Sequence, residues 1–238
     1  MTLESVPDDW ERALAVVAHP DDMEYGAAAA VAHWTAQGKR VTYILVTRGE
    51  TGIDALPPDE CARIREAEER ASAAIVGVDT VEFLDDHHDG LIEYGLPLRR
   101  DLALAIRRHR PDVMIMLNHR ETWGGGIPNM ADHRHVGRAA LDAVRDAANP
   151  WLFRSDDSER GPDAWSGTRF VLVAGSEEAT HYVDVTGELE LGIASLAAHA
   201  RYLEHVGTDA RQFLTAMAEE GGRAAGVRYA TAFELVGL

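Results

Sequence analysis

The chain has 238 residues, 46% of them hydrophobic, which is enough to bury a full core, and we expect one domain over residues 1–238. A formal net charge of -17 disfavours binding to nucleic acid or to anionic membrane surfaces and favours small-molecule chemistry. The single cysteine, Cys61, excludes an internal disulfide and a multi-cysteine zinc site.

The first residues, MTLESVPDDWERAL, lack the basic segment and apolar core of a secretory signal. The longest apolar runs of the chain are shorter than the ~20 residues that span a bilayer. We therefore expect a cytoplasmic protein that does not span a membrane and acts on a small molecule, while assembly into a homo-oligomer stays open.

Short apolar runs alternate with segments of helical spacing along the first half of the chain, the pattern of consecutive βαβ units. Strands are predicted at residues 12–18, 40–46, 80–84 and 112–117. Helices are predicted from about Glu24 to Gln37, within 57–77 and at 97–110, the last two with a proline near the start.

The second half continues the alternation after a loop, rich in glycine and polar residues, at 118–130. Residues 149–168 are predicted to be irregular without marking a domain boundary. The remaining predicted elements are helices at 131–148, 188–205 and 209–219 and strands at 170–174, 182–186 and 228–236. Because crossovers between parallel strands are right-handed, we predict an α/β fold, a Rossmann-like doubly wound domain with a mostly parallel central sheet.

The stretch LAVVAHPDDMEYGAAAAV, residues 14–31, places an imidazole and two adjacent carboxylates at the carboxyl end of the first strand, where doubly wound sheets bind ligands. His19 and Asp22, three positions apart around Pro20, can converge on one divalent cation. Asp21 is then left beside the ion, as a base for water that the ion acidifies. Taken alone, the two aspartates are explained at least as well by a role as N-caps of the next helix.

The segment NMADHRHVGRAALDAV offers Asp132, His133 and His135 at the start of the helix that follows the fourth strand. The first and fourth strands meet at the switch point of a doubly wound sheet, so a residue there can face the same ion as His19. We predict His133 as the third ligand, although in isolation it reads as a surface histidine. Three protein ligands with one open position are typical of a catalytic zinc site.

AHPDDMEYG followed by DHRHVGRAALDAV resembles the zinc-dependent PIG-L or LmbE deacetylases, which cleave N-acyl groups from amino sugars and related glycosides. The segments RIREAEERASAAIVGV, VEFLDDHHDG and HYVDVTGELELGIASLAAH are similar to later blocks of that family. The resemblance implies an LmbE-like fold and Zn²⁺, or another divalent ion such as Fe²⁺, held by His19, Asp22 and His133. It also implies that Asp21 is the general base of an N-deacetylase.

By the same resemblance, Arg65 on the second helix and Asp89 after the third strand would contact the N-acylated substrate. From the residues alone, Arg65 is explained equally well as a solvated charge on a helix, and Asp89 as a turn-forming residue.

The chain departs from the family at Met130, where many members carry a histidine that helps to stabilise the oxyanion. Methionine cannot donate a hydrogen bond, and losing such a donor typically costs ~10²–10³ in rate. Of the imidazoles that could replace it, His119 at the end of the fourth strand is the best placed. Met130 also favours an alternative, a catalytically weak or inactive metal-binding relative. A nucleotide-binding Rossmann protein fits less well, because the first turn carries acids where diphosphate needs glycines.

Overall fold

The computed structural model describes residues 3–154 and 163–238, and these residues form an eight-stranded sheet, a small hairpin and helices on both faces of the sheet. The strands are β1 (Glu4–Ser5), β2 (Arg12–Val17), β3 (Arg40–Leu45), β4 (Thr80–Phe83), β5 (Val113–Leu117), β6 (Thr122–Trp123), β7 (Ile127–Pro128), β8 (Phe170–Ala174), β9 (His181–Asp184) and β10 (Ala230–Gly237). The helices are α1 (Asp22–Gly26), α2 (Ala28–Ala36), α3 (Pro58–Ile75), α4 (Leu96–His109), α5 (Ala131–Ala148), α6 (Leu189–Ala197), α7 (Ala200–Val206) and α8 (Ala210–Ala225).

The strand order in the sheet is β1-β9-β10-β8-β5-β2-β3-β4. β10 is antiparallel to both of its neighbours, and the other paired strands of the sheet are parallel. The chain runs outward from β2 through β3 to β4 and then returns to β5 on the other side of β2. The switch point therefore lies between β2 and β5, and the predicted fold class is confirmed.

Two apolar layers cover the sheet because successive residues of each strand point to opposite faces. Ala13, Ala15 and Val17 of β2 join the layer under α2 and the end of α3. Leu14 and Val16 join the opposite layer, under α4 and α5. The helices on the two faces therefore leave the strand ends at the switch point free for a site.

Two predicted helices are each broken in the structure, and both breaks position residues near that site. The first break is at Ala27, whose φ of -151° separates α1 from α2. A Cβ on Gly26 would lie 2.9 Å from Leu117 Cδ1, so α1 rests against the ends of β5 and β8 while α2 runs along the sheet. The second break is at His199, between α6 and α7, where the imidazole is completely buried. Apolar periodicity could not reveal either break, because the apolar pattern continues through both.

Other differences from the prediction are smaller. The 118–130 loop contains the β6-β7 hairpin, and β1 adds a short edge strand. The helix predicted at 209–219 extends to Ala225. Gly221 and Gly222 let it pack closely, because a Cβ would lie 2.4 Å from the backbone oxygen of Ala230 in β10 and 2.5 Å from that of Arg228 just before the strand. Part of the predicted irregular segment, residues 155–162, lies outside the described residues. Within the described ranges, no helix has the length and apolar character needed to cross a bilayer.

Candidate metal centre and active site

The turn after β2 holds Asp22 so that its carboxylate points back toward the strand. Asp22 opens α1, and its Oδ2 accepts hydrogen bonds from the backbone amides of Ala18, at 3.0 Å, and His19, at 2.9 Å. Those bonds leave Oδ1 for a partner outside the turn. Asp21 has a φ of 90°, a left-handed conformation that aspartate tolerates better than most residues.

The N-terminus of α5 brings His133 to this turn from the other side of the switch point. His133 Nε2 lies 3.1 Å from Asp22 Oδ1 and 3.2 Å from His19 Nδ1, and His19 Nδ1 is 3.7 Å from Asp22 Oδ2. All three side chains are buried or nearly so. The three residues predicted as metal ligands are thus brought together, about 114 positions apart in sequence.

The hydrogen-bond partners of the two imidazoles assign their protons to the outward-facing nitrogens. His133 Nδ1 faces Asn129 Oδ1 at 3.0 Å, and His19 Nε2 faces carboxylate oxygens of Asp89 and Asp132 at 3.1 and 3.2 Å. With the protons so placed, the inward-facing nitrogens present lone pairs to each other beside the carboxylate of Asp22. A cation at the centre would satisfy both lone pairs and the carboxylate.

The spacing of these inward atoms fits a small divalent cation. Donors that bind zinc at about 2.0–2.2 Å in a tetrahedral arrangement lie about 3.3–3.6 Å from one another. The separations of His133 Nε2 from Asp22 Oδ1, 3.1 Å, and from His19 Nδ1, 3.2 Å, lie just below that value. Both chemistry and spacing of the donor set therefore fit the predicted metal.

Asp89 and Asp132 hold the opposite edge of the His19 ring. Asp89 Oδ2 also accepts bonds from the backbone amide and hydroxyl of Thr51, and Asp132 accepts bonds from the amides of Gly90 and Ile92. Burial raises the pKa of Asp89, but His19 and Thr51 more than compensate and lower it to about 2. A carboxylate on the outer nitrogen of a metal-binding histidine fixes its tautomer and orientation. The family resemblance implies that Asp89 contacts substrate, whereas here its carboxylate faces His19.

Asp21 forms a buried ion pair with Arg65. Arg65 Nη2 donates to Asp21 Oδ1 at 3.0 Å, and the Asp21 amide donates to Glu69 Oε2 at 3.2 Å. Burial raises the pKa of Asp21 to about 7, although Arg65 opposes the shift. A carboxyl group with a pKa near neutrality can both accept and donate a proton at physiological pH, as a general base and acid require.

The side chain of Arg65 is enclosed by other residues of the protein. Its guanidinium donates to the backbone oxygens of Pro20 and Gly49 and stacks 4.0 Å from the ring centre of Tyr202. A Cβ on Gly52 would lie only 2.2 Å from Arg65 Nη1, so that glycine makes room for the guanidinium. Only 2% of Arg65 is exposed, and Asp21 is its acidic partner.

Sequence reasoning missed Asn129, which orients His133. The Asn129 amide group donates to the backbone oxygens of Asn118 and Arg120, which turns its Oδ1 toward His133. Its position, four residues before the predicted ligand and just ahead of the helix, was the available signal. Trp123 completes this side of the site, with its ring edge-on to His133 at a centroid distance of 5.7 Å.

Many family members carry a histidine where this chain has Met130, and within residues 3–154 and 163–238 no further histidine hydrogen-bonds to His19 or His133 to replace it. Met130 is 51% exposed at the start of α5. His119 packs against Gly137, and in the described part of the chain its Nδ1 is buried without a hydrogen-bond partner. Its ring makes no hydrogen bond with His19 or His133 among the described residues. The expectation that His119 takes over oxyanion stabilisation stays a prediction.

The fold and the site together define the class of this protein, a doubly wound α/β protein with a His-Asp-His centre at its switch point. The sequence profile of the PIG-L family, described as GlcNAc-PI de-N-acetylase, matches residues 14–144. The chain belongs to this family, and the resemblance noted in the sequence is confirmed.

Relatives from archaea and bacteria are similar over most of their length. A diacetylchitobiose deacetylase of Thermococcus kodakarensis is 28% identical over 96% of this chain and 84% of its own. A 1D-myo-inositol 2-acetamido-2-deoxy-alpha-D-glucopyranoside deacetylase of Mycolicibacterium gilvum is 30% identical over 85% of this chain and 84% of its own. The solved N,N'-diacetylchitobiose deacetylase of Pyrococcus horikoshii superimposes with a TM-score of 0.83 at 26% identity, covering 96% of this chain and 85% of that one. These relatives are named as deacetylases of amino sugars, the reaction class that the sequence predicted.

Proposed function

We propose that this protein is a metal-dependent N-deacetylase that hydrolyses the acetamide of a small N-acetylated amino sugar. The observation that carries the proposal is the convergence of two imidazole nitrogens and a carboxylate oxygen beside a buried aspartate with a pKa of about 7. The names of the relatives support an amino-sugar substrate.

His19, Asp22 and His133 would hold the ion, which we take to be Zn²⁺, with Fe²⁺ as the alternative because both accept imidazole and carboxylate ligands. When bound, such an ion polarises an acyl oxygen and lowers the pKa of a water to about 7.

Asp21 would remove one proton from the water as its oxygen bonds to the acetyl carbon, and would pass that proton to the amine nitrogen as the C–N bond breaks, which gives acetic acid and the free amine. Its place beside Asp22 in the same turn supports this role, and so does its pKa of about 7. Nearby positive charge from a bound ion would favour its ionised, proton-accepting form before reaction.

We propose a different role for Arg65 than the resemblance implies, namely to position Asp21. The ion pair at 3.0 Å and the enclosure of the guanidinium support this assignment. Asp89 would likewise act through His19, by holding the ring that presents Nδ1 to the ion.

Arg65→Lys is expected to lower kcat by about 10- to 100-fold with little change in KM, because an ammonium group cannot reproduce the fork that holds Asp21. Steady-state kinetics of the variant measures both constants. Arg63→Lys on the exposed side of the same helix is the control and should match the wild type. A large rise in KM at unchanged kcat would instead assign Arg65 to substrate binding.

The proposed activity is tested with zinc-loaded protein of known metal content. N-acetylglucosamine, N,N'-diacetylchitobiose and the acetamido-glucopyranosyl inositol named above are offered in turn, and acetate and free amine are both measured. Equal yields of the two products from at least one compound are expected. Absence of acetate from every compound, with the ion present, would favour the alternative of a metal-binding relative with little or no catalysis, which the side chain of Met130 suggests.

A further inference from the structure

A second group of buried ionisable side chains lies behind the turn that carries Asp21. It consists of Glu24 from α1, Glu69 from α3 and His199 from the break between α6 and α7. The three are at most 1% exposed, and one ligand atom from each lies within 4.8 Å of the others. None of them belongs to the triad around His19.

The contacts within this cluster are too long for hydrogen bonds. His199 Nε2 is 3.7 Å from Glu24 Oε2 and 3.7 Å from Glu69 Oε2, whereas N–H···O bonds in proteins are 2.7–3.2 Å. Two donors of one ion at about 2.1–2.2 Å lie about 3–3.7 Å apart, depending on its geometry. The separations therefore suit a shared ligand rather than direct bonding.

Several polar atoms of the cluster have no partner. Glu24 Oε2, Glu69 Oε1 and both nitrogens of His199 are buried without a hydrogen bond among the described residues, and so is the nearby hydroxyl of Tyr43. Unpaired polar atoms in a core are costly, and carboxylates most of all. The cluster as described is thus incomplete.

The surroundings hold the cluster in shape but do not neutralise it. Ser72 donates to Glu24 Oε1 at 2.6 Å and is itself bonded to Ser195, which fixes one oxygen of Glu24 and leaves Oε2 for another partner. In the described part of the chain, no lysine or arginine forms a salt bridge with Glu24 or Glu69. Burial and the negative charge of Glu24 raise the pKa of Glu69 well above its usual range. Burial lowers the pKa of His199, but Glu24 more than compensates and raises it, so a metal ion would displace a proton from this imidazole.

We infer that Glu24, Glu69 and His199 form a second site for a divalent transition-metal ion, separate from the catalytic one. Two carboxylates and a neutral imidazole balance the charge of a divalent ion and are ligands that Mn²⁺ and Zn²⁺ accept. The ion joins α1, α3 and the α6-α7 corner, and it fixes the carboxylate that accepts the Asp21 amide. Its role is structural, and the site does not depend on the proposed deacetylase activity.

The number of ions per chain tests this inference. Wild-type protein expressed with added Zn²⁺, or with Mn²⁺, is freed of loose metal and analysed by mass spectrometry of the metal content. We expect two ions per chain in the wild type, and one in His199→Gln. His205→Gln, on α7 after the same break, is the control and should retain both. We also expect a lower Tm for His199→Gln than for the control, because the bound ion stabilises only the folded state.

One ion per chain in the wild type would overturn the second site, and so would a second ion that persists in His199→Gln. If His199→Gln does not fold, an anomalous difference map of the wild-type crystal decides. A peak between the three side chains supports the site, whereas a water molecule or empty density there contradicts it. The same map shows whether an ion lies at His19, Asp22 and His133, so the two sites are judged independently.

Discussion

Asp21→Asn is expected to lower kcat by about 10²–10⁴ while leaving the catalytic ion in place, because the amide cannot accept the proton of the attacking water. Asparagine keeps the size of the side chain and is tolerated in the left-handed conformation that residue 21 adopts. It also leaves the backbone amide free to donate to Glu69. The variant therefore removes the base with little change in shape.

Asp86→Asn is a matched control, since Asp86 is an exposed aspartate that is also left-handed, with a φ of 64°. Its kcat should equal that of the wild type. Loss of the Asp21 charge leaves Arg65 without its buried partner, which can cost about 3–5 kcal/mol of folding free energy. Kinetics is therefore measured well below the Tm of the variant, with metal content and circular dichroism recorded on the same sample. Near-normal kcat in a folded, metal-loaded Asp21→Asn protein would rule out Asp21 as the base.

His133→Gln is expected to release the catalytic ion and to lower kcat/KM by about 10³ or more. The ion supplies several kcal/mol of transition-state stabilisation, and each 1.36 kcal/mol is tenfold in rate. Removing one of three ligands leaves His19 and Asp22 to hold the ion alone. The glutamine side chain preserves polarity at the site but cannot place a nitrogen lone pair opposite His19 Nδ1.

His135→Gln provides the comparison on the same helix. His135 Nδ1 bonds to the backbone oxygen of Ile92 and takes no part in the triad, so this variant should keep its ion. Wild-type activity lost to a chelator should return on adding Zn²⁺, whereas added Zn²⁺ should not restore His133→Gln. Full activity and metal content in His133→Gln, or their loss in His135→Gln, would show that the wrong histidine has been assigned.

Much of the site could be predicted because it depends on topology. The apolar runs 12–18 and 112–117 were recognisable as strands, and the alternation with helices implied that these two strands would be neighbours. The βαβ order then places His19 and the start of α5 at the carboxyl ends of two adjacent parallel strands, β2 and β5. Long-range proximity follows here from rules of chain connection rather than from any local signal.

Side-chain environments could not be predicted in the same way. Nothing local to Arg65 indicates burial, because its enclosure depends on Gly52 and on Tyr202 from a distant helix. The breaks at Ala27 and His199 depend on the helices packing against strand ends and against each other. Because of these tertiary contacts, Arg65 pairs with Asp21 and His199 is buried in the core.

The charges around His19 were likewise only partly foreseen. The sequence offers Asp132 as well as His133 at the start of α5, and spacing alone does not separate their roles. The structure assigns them by hydrogen bonding, since both Asp132 oxygens accept backbone amides while His133 Nε2 faces inward. His19 therefore belongs to two groups of possible metal ligands. One group contains Asp22 and His133, and the other contains Asp89 and Asp132.

Anomalous diffraction at the zinc edge, from crystals of the zinc-loaded protein, tests the central claim most directly. The account predicts a peak within bonding distance of His19 Nδ1, Asp22 and His133 Nε2. A peak on the opposite edge of the ring, bound by His19 Nε2, Asp89 and Asp132, would contradict it, and so would the absence of any ion at His19.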